Sequence, residues 1–282
     1  MTQSQEAVVR FHRLIESDKF KNLEWAEALQ EQMRAQKLSG GARGVVPVLR
    51  PHFITRRHYA GLVRAAEALL SAIDRVKRIA LSSQQLLSRM ELLPAEKMLA
   101  SVDPHYPFAA VTSLLDTQMA NGSMHFMQFN VGAPAGVASS ELLADLFYNC
   151  SIVKEFRKRY QLAKVGGTKH LLRALLEAYK SFGKKRHPQI AILEFRQPFQ
   201  VTQSSEYLLL AESFRRAGYP TEVISPDQLE YRGRVLRAGN FEIDLVYRRL
   251  TVQEFLVRFD LSHPLVRAYK DGAVCVVNSF RA

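Results

Sequence analysis

Cysteine is almost missing from this chain of 282 residues: only Cys150 and Cys275 occur. They fall in segments that read as a helix end and a buried strand, which argues against a disulfide framework and for a reducing, cytoplasmic setting. Long apolar runs are missing as well. No continuous stretch reaches the ~18 apolar residues that a membrane-spanning helix needs, and the polar N-terminus carries no secretory pattern. The eight histidines are scattered and nowhere take metal-ligand spacing, so no zinc site is expected. Neither the Walker A nor the dinucleotide glycine spacing is present, and the pair Gly166 and Gly167 reads as the turn that starts a helix.

What is present is a composition for a globular fold: 47% of the residues are hydrophobic, enough for one large domain or two ordinary ones. The formal charge of +12 makes anionic partners plausible, whether phosphate, acidic substrate or nucleic acid. Basic residues are spread along the whole chain, with short runs at 56–57, 157–159 and 184–186 and no aromatic interleaving. Nucleic acid is therefore the least supported partner, and an acidic small molecule or peptide the favoured one.

Periodicity divides the chain into two parts. Up to residue 183 the pattern is mainly helical. Strong helix formers fill 24–38 and stop at Ser39, Gly40 and Gly41. A short run at 45–49 and Pro51 precede 58–80, which places Leu62, Ala65, Ala66, Leu69, Leu70 and Ile73 on one helical face. Further helices are predicted over 82–93, from Pro94, over 139–147, over 151–162, and over 168–182, the last with Thr168 as its cap. Within this part, 108–117 and 123–130 read as a hairpin that turns through 119–122. From 184 to 282 strands alternate with helices: strand 190–195, helix 204–217 stopped by Gly218, strand 222–225, a hairpin centred on Arg232 and Gly233, then strands 243–247 and 273–277. The fold class is therefore α/β, a helical and β-hairpin region followed by a small doubly wound, mostly parallel sheet.

The segment 123–136, SMHFMQFNVGAPAG, is the most informative. A period of two puts Met124, Phe126 and Gln128 on one face and His125, Met127 and Phe129 on the other. The apolar run stops at Asn130, and Gly132, Pro134 and Gly136 then set turn geometry that leaves backbone N–H groups open to an anion. Such a strand end could hold a magnesium nucleotide. A buried strand whose last polar residue caps the helix starting near Ser139 accounts for the same pattern. Asp116, on the first hairpin strand, reads either as a site carboxylate or as an ordinary turn-flanking aspartate.

In an open parallel sheet ligands bind outside the carboxyl ends of the strands. Glu194 and Arg196 end one strand, Tyr247, Arg248 and Arg249 another, and Asn278 and Ser279 the last. Consecutive arginines on a strand point to opposite sides, so one of Arg248 and Arg249 faces the cleft. A guanidinium suits a carboxylate because it makes two parallel charge-assisted hydrogen bonds.

Taken together, Gln128-Phe129-Asn130 and the segment FEIDLVYRR at 241–249 resemble the circularly permuted ATP-grasp family, which includes eukaryotic-type glutathione synthetases and glutathionylspermidine synthase-like proteins. The resemblance runs from about His52 to the end of the chain. It implies ATP and magnesium as cofactors and ATP-dependent joining of a carboxylate to an amine or thiol through an acyl phosphate. Asn130 and Gln128 would occupy the magnesium-ligand positions, with the Gln128 amide standing where the family carries a carboxylate. Tyr247, Arg248 and Arg249 would face the acidic substrate, Arg249 matching the substrate position best, with Glu206 and Asp116 as further contacts. The resemblance further implies a pre-ATP-grasp-like substrate domain at 184–282, with 1–183 contributing part of the nucleotide site. The nucleotide lysine and glycine-rich lid would lie beyond Ala282, so the chain reads as the N-terminal part of a ligase, inactive alone. The alternative is a noncatalytic relative that binds an acidic metabolite or peptide, which Gln128 favours.

Overall fold

Four short strands, Ile190–Leu193, Thr221–Ile224, Leu245–Arg248 and Cys275–Val277, pair in parallel. Ile190, Ala191, Ile192 and Leu193 are all 0% exposed. Such an unbroken apolar run is what a parallel strand covered on both faces requires. The protein is known from a computed structural model that describes residues 2–36, 38–40, 43–44, 50–108, 110–120, 123–183, 186–195 and 205–282. The run 45–49, the Gly41 end of the helix stop, the turn residues Asn121 and Gly122, and Arg196 lie outside the described residues. The class is mixed α/β, with helices and a hairpin preceding a small parallel sheet, as the periodicity predicts.

Two compact units form, one from Met1–Arg64, Gly136–Thr168 and Gln200–Glu206, the other from Ala65–Ala135, Lys169–Phe199 and Tyr207–Ala282. In the first, the helix Gln3–Ile15 is capped by Thr2 and buries Phe11. Phe11 meets Phe53 and Phe156 edge-on at 5.5 and 5.4 Å, and Phe156 stacks on Tyr160 at 4.4 Å. The helix Glu24–Ala35 turns Trp25, Ala26, Leu29 and Met33 inward. The predicted helix 151–162 is shorter, Ser151–Phe156.

In the second unit the hairpin strands are Leu114–Ala120 and Ser123–Asn130. The first strand begins six residues later than the predicted 108. Its expected start is held otherwise: the N–H groups of Val111 and Thr112 donate to the side-chain oxygen of Asn278, at 2.8 and 3.0 Å. The register also departs from a simple period of two. Thr117 pairs with Phe126 and Asp116 with Gln128, so Met127 is an extra residue in a β-bulge. Beyond it the phase flips: Met124, Phe126 and Phe129 are half-buried, whereas His125, Met127 and Gln128 are exposed. Gln128 and Phe129 thus exchange the faces that alternation assigns them.

A three-stranded antiparallel meander, Glu230–Arg232, Val235–Ala238 and Phe241–Ile243, precedes the third parallel strand. The predicted strand 243–247 is divided at Asp244, whose carboxylate accepts from the Gln189 N–H at 3.0 Å and pairs with Arg186. Here the chain leaves the meander for the parallel sheet. Leu193, Val246, Val276, Phe255, Leu265 and Phe280 share the core of this unit. Among the described residues no helix is long and apolar enough to cross a membrane.

Candidate functional site

In space the parallel strands run Cys275–Val277, Leu245–Arg248, Ile190–Leu193, Thr221–Ile224. The chain leaves Leu193 toward one edge of the sheet and leaves Arg248 toward the other. The two central strands therefore diverge at their carboxyl ends, the topological switch point where α/β sheets open a crevice. Arg248 pairs with Leu193, and the Arg249 N–H still donates to the Leu193 carbonyl at 3.2 Å. The next residues, Glu194 and Phe195 on one strand and Arg249 and Leu250 on the other, line a cavity of about 410 Å³. Tyr207 and the helix Val252–Arg258 complete its wall. That helix starts where it does because Thr251 and Glu254 form a capping box.

Arg249 is only 5% exposed. Its Nη1 makes a long 3.4 Å hydrogen bond to the Tyr247 hydroxyl, and its guanidinium lies 5.3 Å from the Tyr207 ring centre. Nε is buried with no acceptor among the described residues. Burial works against its charge, but Tyr247 and Tyr207 outweigh it and hold its pKa above the ordinary arginine value. Glu194, half-buried, is pushed up to about 7 by burial, with Arg249 pulling the other way. Arg258 lies 4.2 Å from the Phe195 ring centre, a cation–π contact that braces the rim.

Arg248 is spent on structure. It is completely buried and donates to the carbonyls of Asn278 at 3.0 Å, Ser279 at 3.1 Å and Leu250. Burial lowers its pKa to about 10, which leaves it charged at neutral pH. Of the adjacent arginines, then, Arg249 lines the cavity and Arg248 holds backbone. Tyr247 is 1% exposed and serves Arg249.

Glu206 caps a helix. Its carboxylate accepts from the Ala138 and Ser139 N–H groups at 3.1 and 2.8 Å and from the Ser139 hydroxyl at 2.6 Å. These are first-turn donors of the helix Val137–Asn149, where a negative charge meets the positive end of the helix dipole. Glu141, on that helix, repeats the arrangement for the helix Thr168–Ser181, accepting from Gly167 N–H, Thr168 N–H and the Thr168 hydroxyl at 3.0, 2.8 and 2.7 Å. Thr168 is thus a donor to Glu141, and the acceptor role expected of it as a cap falls to that carboxylate.

On the hairpin, Asp116 and Gln128 stand directly opposite each other, with Asn130 two residues along. Asn130 Oδ1 accepts from the Ala133 N–H at 3.1 Å, closing the turn within the loop. One carboxylate and two amides make a donor set that suits magnesium only with anionic oxygens added by a nucleotide. Beneath the hairpin, Asn278, 1% exposed, accepts from Val111 and Thr112 and donates to the carbonyls of Thr112 and Val131, both at 2.7 Å. It clamps the entry and exit of the hairpin to the end of the last sheet strand. Sequence reasoning placed Asn278 at a strand end without this role, and did not single out Phe195, Tyr207, Gln253 or Arg258. The signal that was available is the capping box after Arg249, which fixes the helix beside the strand end.

No family model matches the chain, and no curated protein matches it. Among solved structures it is similar to a glutathione synthetase-like effector from Globodera pallida in its apo form. The TM-score is 0.54 at 14% identity, covering 92% of this chain and 70% of that one. The likeness establishes a glutathione synthetase-like fold.

Proposed function

We propose that the chain is a binding protein of glutathione synthetase-like fold that takes the carboxylate of an acidic metabolite or peptide in the switch-point cavity, with Arg249 as the clamp. The observation that carries this reading is the buried Arg249 Nε, which has no acceptor among the described residues. An unsatisfied buried N–H costs about 1–3 kcal/mol, and a carboxylate supplies the missing acceptor with matching charge and planar geometry. Calorimetric titration with glutarate, a simple dicarboxylate, tests it. Saturable binding that disappears in Arg249→Gln is expected; equal binding by that variant removes Arg249 from the site.

A second reading is an ATP-grasp-like carboxylate–amine or thiol ligase working with ATP and magnesium, of which this chain supplies the N-terminal part. The shared face of Asp116 and Gln128, with Asn130 near it, favours it, together with the fold likeness. Titration with magnesium and ATP separates the two readings. Under the second, Gln128→Glu tightens magnesium-dependent ATP binding by adding an anionic oxygen; no ATP binding by either form leaves the carboxylate-binding reading alone.

A further inference from the structure

We propose that Glu194 and Arg249 form a proton-linked anion site, in which an anion seats on Arg249 while Glu194 takes one proton from solvent and donates the resulting O–H to that anion. The inference rests on the carboxylate-binding reading of the cavity and adds its regulation.

The geometry supplies the coupling. Leu193 and Arg248 are register partners, so the residues that follow them, Glu194 and Arg249, emerge side by side at the switch point. Both line one cavity whose aromatic walls, Phe195 and Tyr207, limit solvation. Among the described residues the charged and titratable groups around Glu194 are few. Arg249 comes from its own strand end, Tyr207 from the helix Ser205–Arg216, and Glu254 and Arg258 from the helix Val252–Arg258. Glu254 is engaged by the Thr251 N–H and hydroxyl, both at 2.8 Å, and Arg258 rests on Phe195. Arg249 is the cation that bears on the Glu194 charge.

Without an anion, Glu194 binds its proton near pH 7 because burial disfavours its charge more than Arg249 favours it. An incoming anion brings a second negative charge to the same guanidinium. Like charges at one site cannot both be held cheaply, so the carboxyl that can take a proton does so, and its proton affinity rises further. The sign follows. Below about 7 Glu194 is already protonated and anion affinity is flat. Above that value each binding event must draw in a proton, and affinity falls about tenfold per pH unit until the pKa of the bound form is reached.

The test is calorimetric titration of the full chain with glutarate, whose own charge is constant from about pH 7 to about pH 8. It is run in two buffers of different ionisation enthalpy, so that the difference in heat counts protons. Expected are uptake approaching one proton per glutarate at about pH 8, affinity about fivefold weaker there than at pH 7, and a flat pH profile in Glu194→Gln. Binding by the wild type that Arg249→Gln abolishes, but with no proton uptake and no pH dependence, overturns the proton linkage and leaves the anion site standing. Equal binding by Arg249→Gln, or no saturation of the wild type at either pH, overturns both. The proton count comes from the wild type, so it does not depend on how any variant folds.

Discussion

Arg248 and Arg249 are consecutive, both buried, and committed to opposite tasks: the first donates to carbonyls of residues 250, 278 and 279, the second presents to a cavity an Nε that has no partner among the described residues. Their chemistry is the same and their partners are not, so equivalent substitutions should separate stability from binding.

Arg248→Met should cost about 3–5 kcal/mol, because it strips a fully buried side chain from backbone acceptors that no water can reach. Arg248→Lys should recover less than half of that loss, since an ammonium lacks the planar fork. Arg249→Met should leave stability within about 1 kcal/mol, as it gives up one long hydrogen bond to Tyr247 and also removes a buried N–H that has no acceptor among the described residues. Urea denaturation midpoints at neutral pH read all three, and a larger loss for Arg249→Met than for Arg248→Met would reverse the assignment.

Asn278→Asp should destabilise at least as much as Asn278→Ala, by about 2–4 kcal/mol. The amide donates to the carbonyls of Thr112 and Val131, and a carboxylate would confront both with a negative oxygen. Hydrogen exchange at the Val111 and Thr112 amides should accelerate in both variants. Unchanged protection there would mean that the clamp does not hold the hairpin.

Glu206→Gln should cost about 1–2 kcal/mol, the range for losing a charged partner at a helix N-terminus. Glu141, whose hydrogen bonds from Thr168 and Gly167 and proximity to Lys164 outweigh burial and hold its pKa below the ordinary value, gives a pH signature. Its contribution is full above the unfolded carboxyl value of about 4.3 and is lost as pH falls through the lower folded value. Glu141→Gln should therefore flatten the acid limb of the stability curve. An unchanged acid limb would show that the bonds to Gly167 and Thr168 add no net stability.

Glu194 has the opposite sign. Its folded pKa lies above the unfolded one, so the folded chain holds a proton that the unfolded chain has released, and stability falls as pH rises from about 4.3 toward about 7. Glu194→Gln should stabilise by about 1 kcal/mol at pH values above 7, a figure discounted for the solvent that reaches this half-buried group, and should have no effect near pH 4. Thermal melts across that range decide it. A variant less stable than the wild type above pH 7 would show that ionised Glu194 is net favourable in the folded protein.

The parallel sheet was legible because its strands are short apolar blocks such as Ile190–Leu193 set between helix signals, and burial on both faces leaves that mark in composition. Arg249 was legible for a related reason: a basic residue just past a buried strand falls where such sheets bind ligands. The rest depended on partners far along the chain. The bulge at Met127 needs the opposite strand to define it. The clamp at Asn278 reaches back to Val111 and Thr112, and the carboxylate that caps Val137–Asn149 comes from Glu206. Local periodicity carries no trace of bonds closed over such separations. The division of 243–247 at Asp244 was hidden similarly, since Ile243 and Leu245 on either side of it are both apolar and buried and only the strands they pair with differ.

The two carboxylate caps have a bearing on ligand screening. Glu206 and Glu141 are tethered competitors, present at the helix ends they cap at an effective concentration of roughly millimolar or more, as for short intramolecular links. A free phosphate compound of millimolar affinity would not displace either one. Compounds selected against this chain should therefore sort by how well they satisfy a guanidinium rather than by how well they fit a ring of backbone amides, and planar carboxylates should outrank tetrahedral phosphates of equal charge.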